Sequence, residues 1–315
     1  VHSEDFFEDV KDNKNDNKQE SYNFIVDKPF PLTPELPYKN LELDQADENL
    51  YSKLLWNSAV NWWKHKTLSF DIKLIMFDQE KINQGITANY KRLYPFALNP
   101  NEKSIQLFKD RITIQAPEGI KGLSWITYRF FGKDEDLLWL YNPALKKQRE
   151  LTGSNRSDAI LGSTFSPDDL FSWSAKVDWV KGKFVKKTTL LTPAFSTEEK
   201  QKLILADSGC VKSNNLSEQA TWNFNTRYFP DKPGWIPTNE TFTKRELYEI
   251  DIVSSDFFSL YGRQVLYLDA IDLLPVYKVV YDTGGKLLKI VMTSFGKKIQ
   301  FENSTYRVPE YTIVI

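Results

Sequence analysis

Leu274-Pro-Val-Tyr-Lys-Val-Val-Tyr-Asp-Thr-Gly-Gly-Lys-Leu-Leu-Lys-Ile-Val-Met-Thr293 decides the fold. Two runs rich in β-branched and aromatic residues, Leu274 to Tyr281 and Lys286 to Thr293, flank Asp282-Thr-Gly-Gly285. A tight hairpin turn needs residues that tolerate positive φ, and this tetrapeptide supplies them. The pair therefore reads as two antiparallel strands joined directly. Arg245 to Val253 and Gln264 to Asp269 lie just upstream and extend the pair into a meander.

The same period runs back towards the N-terminus. From Thr67, Leu68, Phe70, Ile72, Leu74 and Met76 alternate with Ser69, Asp71 and Lys73, then apolar Ile75 and Phe77, as in a strand with one buried face. Further strands are predicted at Ser104 to Gln115, Gly122 to Phe131, Asp136 to Tyr141, Lys176 to Phe184 and Lys186 to Leu191. Thr221 to Phe229 places Trp222, Phe224 and Tyr228 on one side, against Asn223, Asn225 and Arg227. No long βαβ alternation appears, so the sheet is expected to be antiparallel. Aromatics make up 14% of the chain, with nine Trp and 21 Phe, a composition that suits half-buried pleated surfaces. The expected class is mainly β (α+β), a strongly curved antiparallel sheet or unclosed β-barrel with covering helices.

The best helix is predicted from about Asp47 to His65, with Tyr51, Leu55, Ala59 and Trp62 or Trp63 in an apolar stripe. That stripe is expected to lie across the mouth or concave face of the sheet. A second helix is predicted to start at Ser166, where Pro167 suits the first position and Asp168 and Asp169 favour the positive helix end. Residues 1–25 are polar and charged and read as a disordered tail, since they cannot bury enough surface to offset ordering entropy. Residues 26–315 read as a single domain.

Composition excludes several classes. The 41 basic and 42 acidic residues nearly cancel to a net charge of −1, and no basic stretch tracks a phosphate backbone, so nucleic acid is not an expected partner. No apolar run approaches the roughly 20 residues that span a bilayer. A chain that begins at Val1 suits a mature form whose signal peptide has been removed.

Catalytic motifs are equally thin. His2 and His65 are the only histidines, and a His-based triad or zinc site needs more partners than these. Cys210 is the single cysteine and reads as a spectator thiol. No glycine-rich phosphate cradle is present. Asp12 to Lys18 imitates a calcium loop but puts Lys14 where a ligand belongs and lacks the turn glycine, so no metal is expected. Asp168 and Asp169 are adjacent and point apart, so they do not form a catalytic carboxylate pair. The chain is read as a non-enzyme without a cofactor.

What remains is an aromatic surface. Phe70, Leu74, Met76, Trp125, Trp139, Trp222 and Phe224 on strands are the candidate lining of a hydrophobic cavity. A wide sheet with an apolar face must cover it with helices, a lipid or a partner.

Several motifs add a family resemblance. Trp139-Leu-Tyr-Asn-Pro-Ala-Leu-Lys-Lys-Gln-Arg-Glu-Leu151 is followed by Ile160-Leu-Gly-Ser-Thr-Phe-Ser-Pro-Asp-Asp-Leu170. Arg245-Glu-Leu247, Tyr261 to Asp269, Pro275-Val-Tyr277, Tyr281-Asp282 and Gly285-Lys-Leu287 with Lys289 then follow in order. Over Tyr90 to Gly296 this resembles the outer-membrane lipoprotein-sorting-like proteins and a related family of unknown function, both similar to LolA and LolB in fold. The resemblance implies a periplasmic location, a half-open barrel, and a lipid, lipoprotein acyl chain or other hydrophobic ligand inside it. It also implies links to outer-membrane biogenesis or export. Two rival readings stay open. One is a non-catalytic subunit docking on an inner-membrane exporter or an outer-membrane protein; the other is a carbohydrate binder that uses surface aromatics as stacking platforms.

Overall fold

Hydrogen bonding divides most of the strands into two open, antiparallel, six-stranded sheets. The computed structural model describes residues 38, 41–61, 67–76, 85–95, 106–131, 135–193, 202–205, 211–214, 242–296, 299–301, 304–307 and 309–315. All of these lie in one unit, Thr33–Ile315. The predicted tail at 1–25, the calcium-like loop, His2, His65, Cys210 and the strand at Thr221 to Phe229 fall outside the described residues.

The first sheet is a meander of β1 (Thr67–Leu74), β2 (Ile86–Leu93), β3 (Gln106–Ala116), β4 (Ser124–Phe130), β5 (Leu137–Asn142) and β6 (Lys147–Leu151), in that spatial order. The second takes in β7 (Val180–Pro193), β10 (Phe242–Ser254), β11 (Arg263–Asp269), β12 (Pro275–Tyr281), β13 (Leu287–Phe295) and β16 (Pro309–Val314). Its order is β16-β13-β12-β11-β10-β7. Two small hairpins complete the described strands: β8 (Lys202–Leu205) with β9 (Val211–Asn214), and β14 (Ile299–Phe301) with β15 (Ser304–Tyr306).

The mostly β, antiparallel, unclosed architecture is the one the sequence predicts. The division into two sheets is not, and it falls at the connector between β6 and β7. The hairpin that decides the fold forms as expected: Asp282 N–H donates to Lys286 O at 2.9 Å, and Gly285 sits at φ +83°. The two runs predicted at 176–184 and 186–191 merge into one strand that begins only at Val180, after a 3-10 turn at Val177–Trp179. The gap between them is a bulge, with Glu249 opposite Lys186 and Ile250 opposite Phe184, so that Val185 is skipped.

Helix α1 (Leu50–Val60) is shorter than predicted. Asp47 instead turns the chain into it, taking the Asn49 N–H on its side chain at 3.0 Å. The buried side is Leu50, Leu54, Leu55, Trp56 and Val60, while Tyr51 and Ala59 are half-buried. The helix packs against β7, the edge strand of the second sheet, and Trp56 stacks on Phe131 at 6.5 Å between ring centres. Trp62 and Trp63 lie outside the described residues.

The connector, residues 152–179, joins the two sheets. Ser166 and Pro167 open a 3-10 turn, Pro167–Ser172, which stops within that turn because Phe171 and Ser172 sit at φ +56° and +65°. Left-handed backbone costs a residue with a Cβ roughly 1–2 kcal/mol. The two side chains that follow from it point to different sheets. Phe171 meets Phe70 and Tyr90 of the first sheet edge-on, each at 5.9 Å. Ser172 Oγ donates to Thr293 Oγ1 of the second sheet at 2.7 Å.

Candidate hydrophobic binding face

Cross-strand register fixes which side chains share a face in the first sheet. Ile72 opposes Ala88 and Ala88 opposes Ile114; Phe70, Tyr90, Ile112, Trp125 and Leu140 form the next row. Leu68, Arg92, Asp110, Thr127 and Leu138 form a third. All three rows lie on one side of the sheet, because directly paired residues do.

The two ends of this face differ in chemistry. At the β1 C-terminal end, Ile86, Ala88 and Ile114 are buried. Leu74, Met76 and Trp125 pack on them with Ile72, Ile112 and Leu123, all only partly buried. Leu161 reaches over from the connector, held at φ +55° beside Gly162 at φ +74°. At the other end Arg92 donates two bonds of 2.6 Å to Asp110, with its guanidinium 3.8 Å above the centre of the Phe108 ring. Burial alone lowers the Arg92 pKa, but the Asp110 carboxylate outweighs it and holds the group firmly charged. Arg129 clasps Asp136 at 2.8 Å, and both Arg129 and Arg156 donate to Ser174 O. One end of the face is thus sealed by ion pairs, and the other keeps large apolar side chains half-exposed.

Of the predicted lining, Leu74, Met76 and Trp125 come together here. Phe70 shares the face but lies one row towards the sealed end, stacked on Tyr90 at 6.0 Å and covered by Phe171. Trp139 does not join them. Its partner is Ile126, and its ring meets Tyr128 at 5.2 Å on the opposite face from Trp125. Trp222 and Phe224 lie outside the described residues.

A second cluster sits where the connector meets the second sheet. The Asp169 carboxylate accepts bonds of 2.6 Å from both Lys278 Nζ and Lys289 Nζ, and further bonds from Tyr261 OH, Ser166 Oγ and the Ser166 N–H. Ser166 Oγ also touches Tyr261 OH, Lys278 Nζ donates to Asp168 O, and Lys289 Nζ donates to Thr164 O. Burial would raise the Asp169 pKa, yet the two ammonium groups hold it below the usual carboxylate range. Burial and then the Asp169 charge push Tyr261 far up, so its hydroxyl keeps its proton. Burial lowers Lys289 in spite of Asp169.

A Ser–Tyr–Lys grouping invites comparison with acid–base sites. Here every member is buried, and its polar atoms are bonded inside the protein. The cluster pins the connector to β12 and β13. Sequence reasoning placed Asp168 and Asp169 at a helix end and missed this pin. Lys278 between Val276 and Val280, a charge on an apolar stripe, was the available signal.

A family model described as "Protein of unknown function (DUF1329)" matches residues 8–312. Among solved structures, the chain is similar to a DUF1329 family protein from Desulfovibrio piger at 13% identity, with a TM-score of 0.51 over 85% of this chain and 90% of that one. A proposed outer membrane lipoprotein-sorting protein domain from Vibrio parahaemolyticus gives 16% identity and a TM-score of 0.49, over 79% of this chain and 77% of that one. A LolA superfamily protein from Nitrosomonas europaea gives 11% and 0.41, over 79% and 76%. At these identities the likeness concerns fold alone. The comparison with curated proteins finds no match.

Proposed function

The chain belongs to the DUF1329 family of proteins of unknown function, and we propose that this member is a non-catalytic periplasmic carrier that shelters a lipid or lipoprotein acyl chain. The binding surface in this reading is the Leu74–Met76–Trp125 end of the first sheet, and residues 26–315 act as one binding unit. The observation that supports it is the two-ended face: large apolar groups are left half-buried at one end while ion pairs seal the other. An acyl chain needs no charged clamp, since each buried CH₂ contributes about 0.8 kcal/mol. The internal bonding of Ser166, Asp169, Tyr261 and Lys278 supports a structural role for that cluster, and with it a non-catalytic protein.

Titration of a fluorescent fatty-acid probe tests the reading. Leu74→Trp fills the open end, so uptake should fall about ten-fold, the equivalent of one to two lost methylene contacts. The melting temperature should stay nearly unchanged. In a filled core the same change costs about 1–3 kcal/mol through overpacking. A protein that binds no apolar probe and is destabilised by Leu74→Trp overturns the carrier reading.

A further inference from the structure

The turn between β10 and β11 carries two phenylalanines that the protein leaves in water. Phe257 is 91% exposed and Phe258 77%, with Leu260 beside them at 53%. The two rings meet edge-on at 5.5 Å. Single exposed apolar residues are ordinary, but adjacent aromatics at the tip of one turn form a patch.

This turn is not loose chain. Phe258 N–H donates to Asp256 Oδ1 at 2.9 Å and Ser259 N–H to Asp256 O at 3.2 Å. On either side, Ser255 N–H donates to Trp179 O at 2.7 Å and Leu260 N–H to Ser157 Oγ at 3.0 Å. These bonds hold the backbone on both sides of the rings.

Charge around the turn is sorted. Register sets exposed Lys181 and Lys183 opposite Val253 and Asp251 at this end of the sheet. Gly262 N–H bonds Tyr281 O at 2.9 Å, which brings the β12–β13 hairpin and its exposed Lys286 to the same end. The nearby carboxylates are already engaged: Asp251 accepts from Arg263, Asp256 from the turn itself, and Asp282 from the N–H groups of Gly284 and Lys286. Lysine heads extend from flexible stems while these acids are held by those bonds.

We propose that this turn docks the protein on an anionic lipid bilayer, with Phe257 and Phe258 entering the boundary between headgroups and acyl chains. Lys181, Lys183 and Lys286 then meet lipid phosphates. No described helix is long and apolar enough to cross a membrane; the attachment proposed is a surface one. A tip of two exposed rings suits a deformable bilayer better than a protein partner, which requires about 800 Å² of matched surface on each side. The inference stands apart from the carrier reading, because the turn belongs to the second sheet and the apolar face to the first.

Flotation of the full chain tests it, with vesicles of phosphatidylethanolamine and phosphatidylglycerol in equal parts and with vesicles of phosphatidylcholine alone. The chain should float with the anionic vesicles and less with the neutral ones. The double variant Phe257→Ser/Phe258→Ser should lose about 100-fold in partitioning, the worth of two buried rings, at an unchanged melting temperature. Lys181→Glu/Lys183→Glu should weaken binding to the anionic vesicles only. Failure of the native chain to float with anionic vesicles overturns the proposal, as does a double Phe variant that floats equally well. A chain that floats but takes up no fatty-acid probe sinks the carrier reading and leaves this one standing.

Discussion

The two sheets share an alternating pattern yet close their inner faces to different depths. In the second sheet Ile250, Leu266, Leu268, Val276, Val280 and Val291 have no exposed surface. At the apolar end of the first sheet only Ile86, Ala88 and Ile114 are buried, and Leu74, Met76 and Trp125 stay half-open. The difference lies in what covers each face. The connector presses its Pro167–Ser172 turn onto β12, β13 and β16 and locks it with Asp169. On the first sheet it reaches Phe70 and Tyr90 with Phe171, and the open end with Leu161. A closed face gives its burial energy to folding; a half-open one leaves some of its apolar surface uncovered.

Asp169→Asn should break this contrast most severely. It leaves Lys278 and Lys289 buried around a neutral amide, and stranding buried charge costs about 3–5 kcal/mol. Lys289→Met should cost clearly less, because the remaining Lys278–Asp169 pair balances and burial already disfavours the Lys289 charge. Urea unfolding of both variants checks the order, and equal losses would show that charge is not the source. The acid limb gives a second reading of the same pin. The Asp169 pKa is lowered in the fold, so its contribution is present above the unfolded value of about 4 and fades as pH falls through the lower folded one. Asp169→Asn should therefore flatten the loss of stability below about pH 4.

Matched truncations sharpen the comparison. Leu266→Ala in the closed sheet should cost about 2–5 kcal/mol, as a core leucine deletion does. Leu74→Ala removes the same atoms from a half-exposed site, and about 1 kcal/mol is expected. Similar losses at the two positions would mean that the first face is a filled core.

Local signals made much of this fold legible. The Asp282–Gly285 turn, the alternation of β1 and the capping sequence at Ser166 each act over a few residues, and each appears where predicted. What escaped notice depends on distant partners. Strand β2, Ile86–Leu93, reads poorly because Arg92 falls on its inner face; Asp110, 18 residues away, makes that position tenable. Lys278 and Lys289 likewise show no partner in the sequence until Asp169 meets them across more than 100 positions. For the candidate face, Leu74 and Met76 followed from period two along one stretch of chain. Separating Trp125 from Trp139 required the β4–β5 register, which sets Trp125 opposite Leu140. The predicted helix beyond Ser166 stopped early because Phe171 and Ser172 are needed by different sheets.

That last pair gives the smallest expected effect. Ser172 is fully buried at φ +65°, and its hydroxyl bonds Thr293 Oγ1 and Val276 O. Ser172→Ala removes those bonds and keeps the strained backbone, so a loss of about 1 kcal/mol is expected. Ser172→Gly removes the same bonds but relieves a left-handed residue of its Cβ, which returns roughly 1 kcal/mol. The glycine variant should thus unfold at nearly the native urea midpoint and the alanine variant below it. Their difference isolates the strain at the point where one backbone serves both sheets. Were alanine and glycine to unfold together, the positive φ at Ser172 would carry no cost, and the division of the connector between the sheets would rest on packing alone.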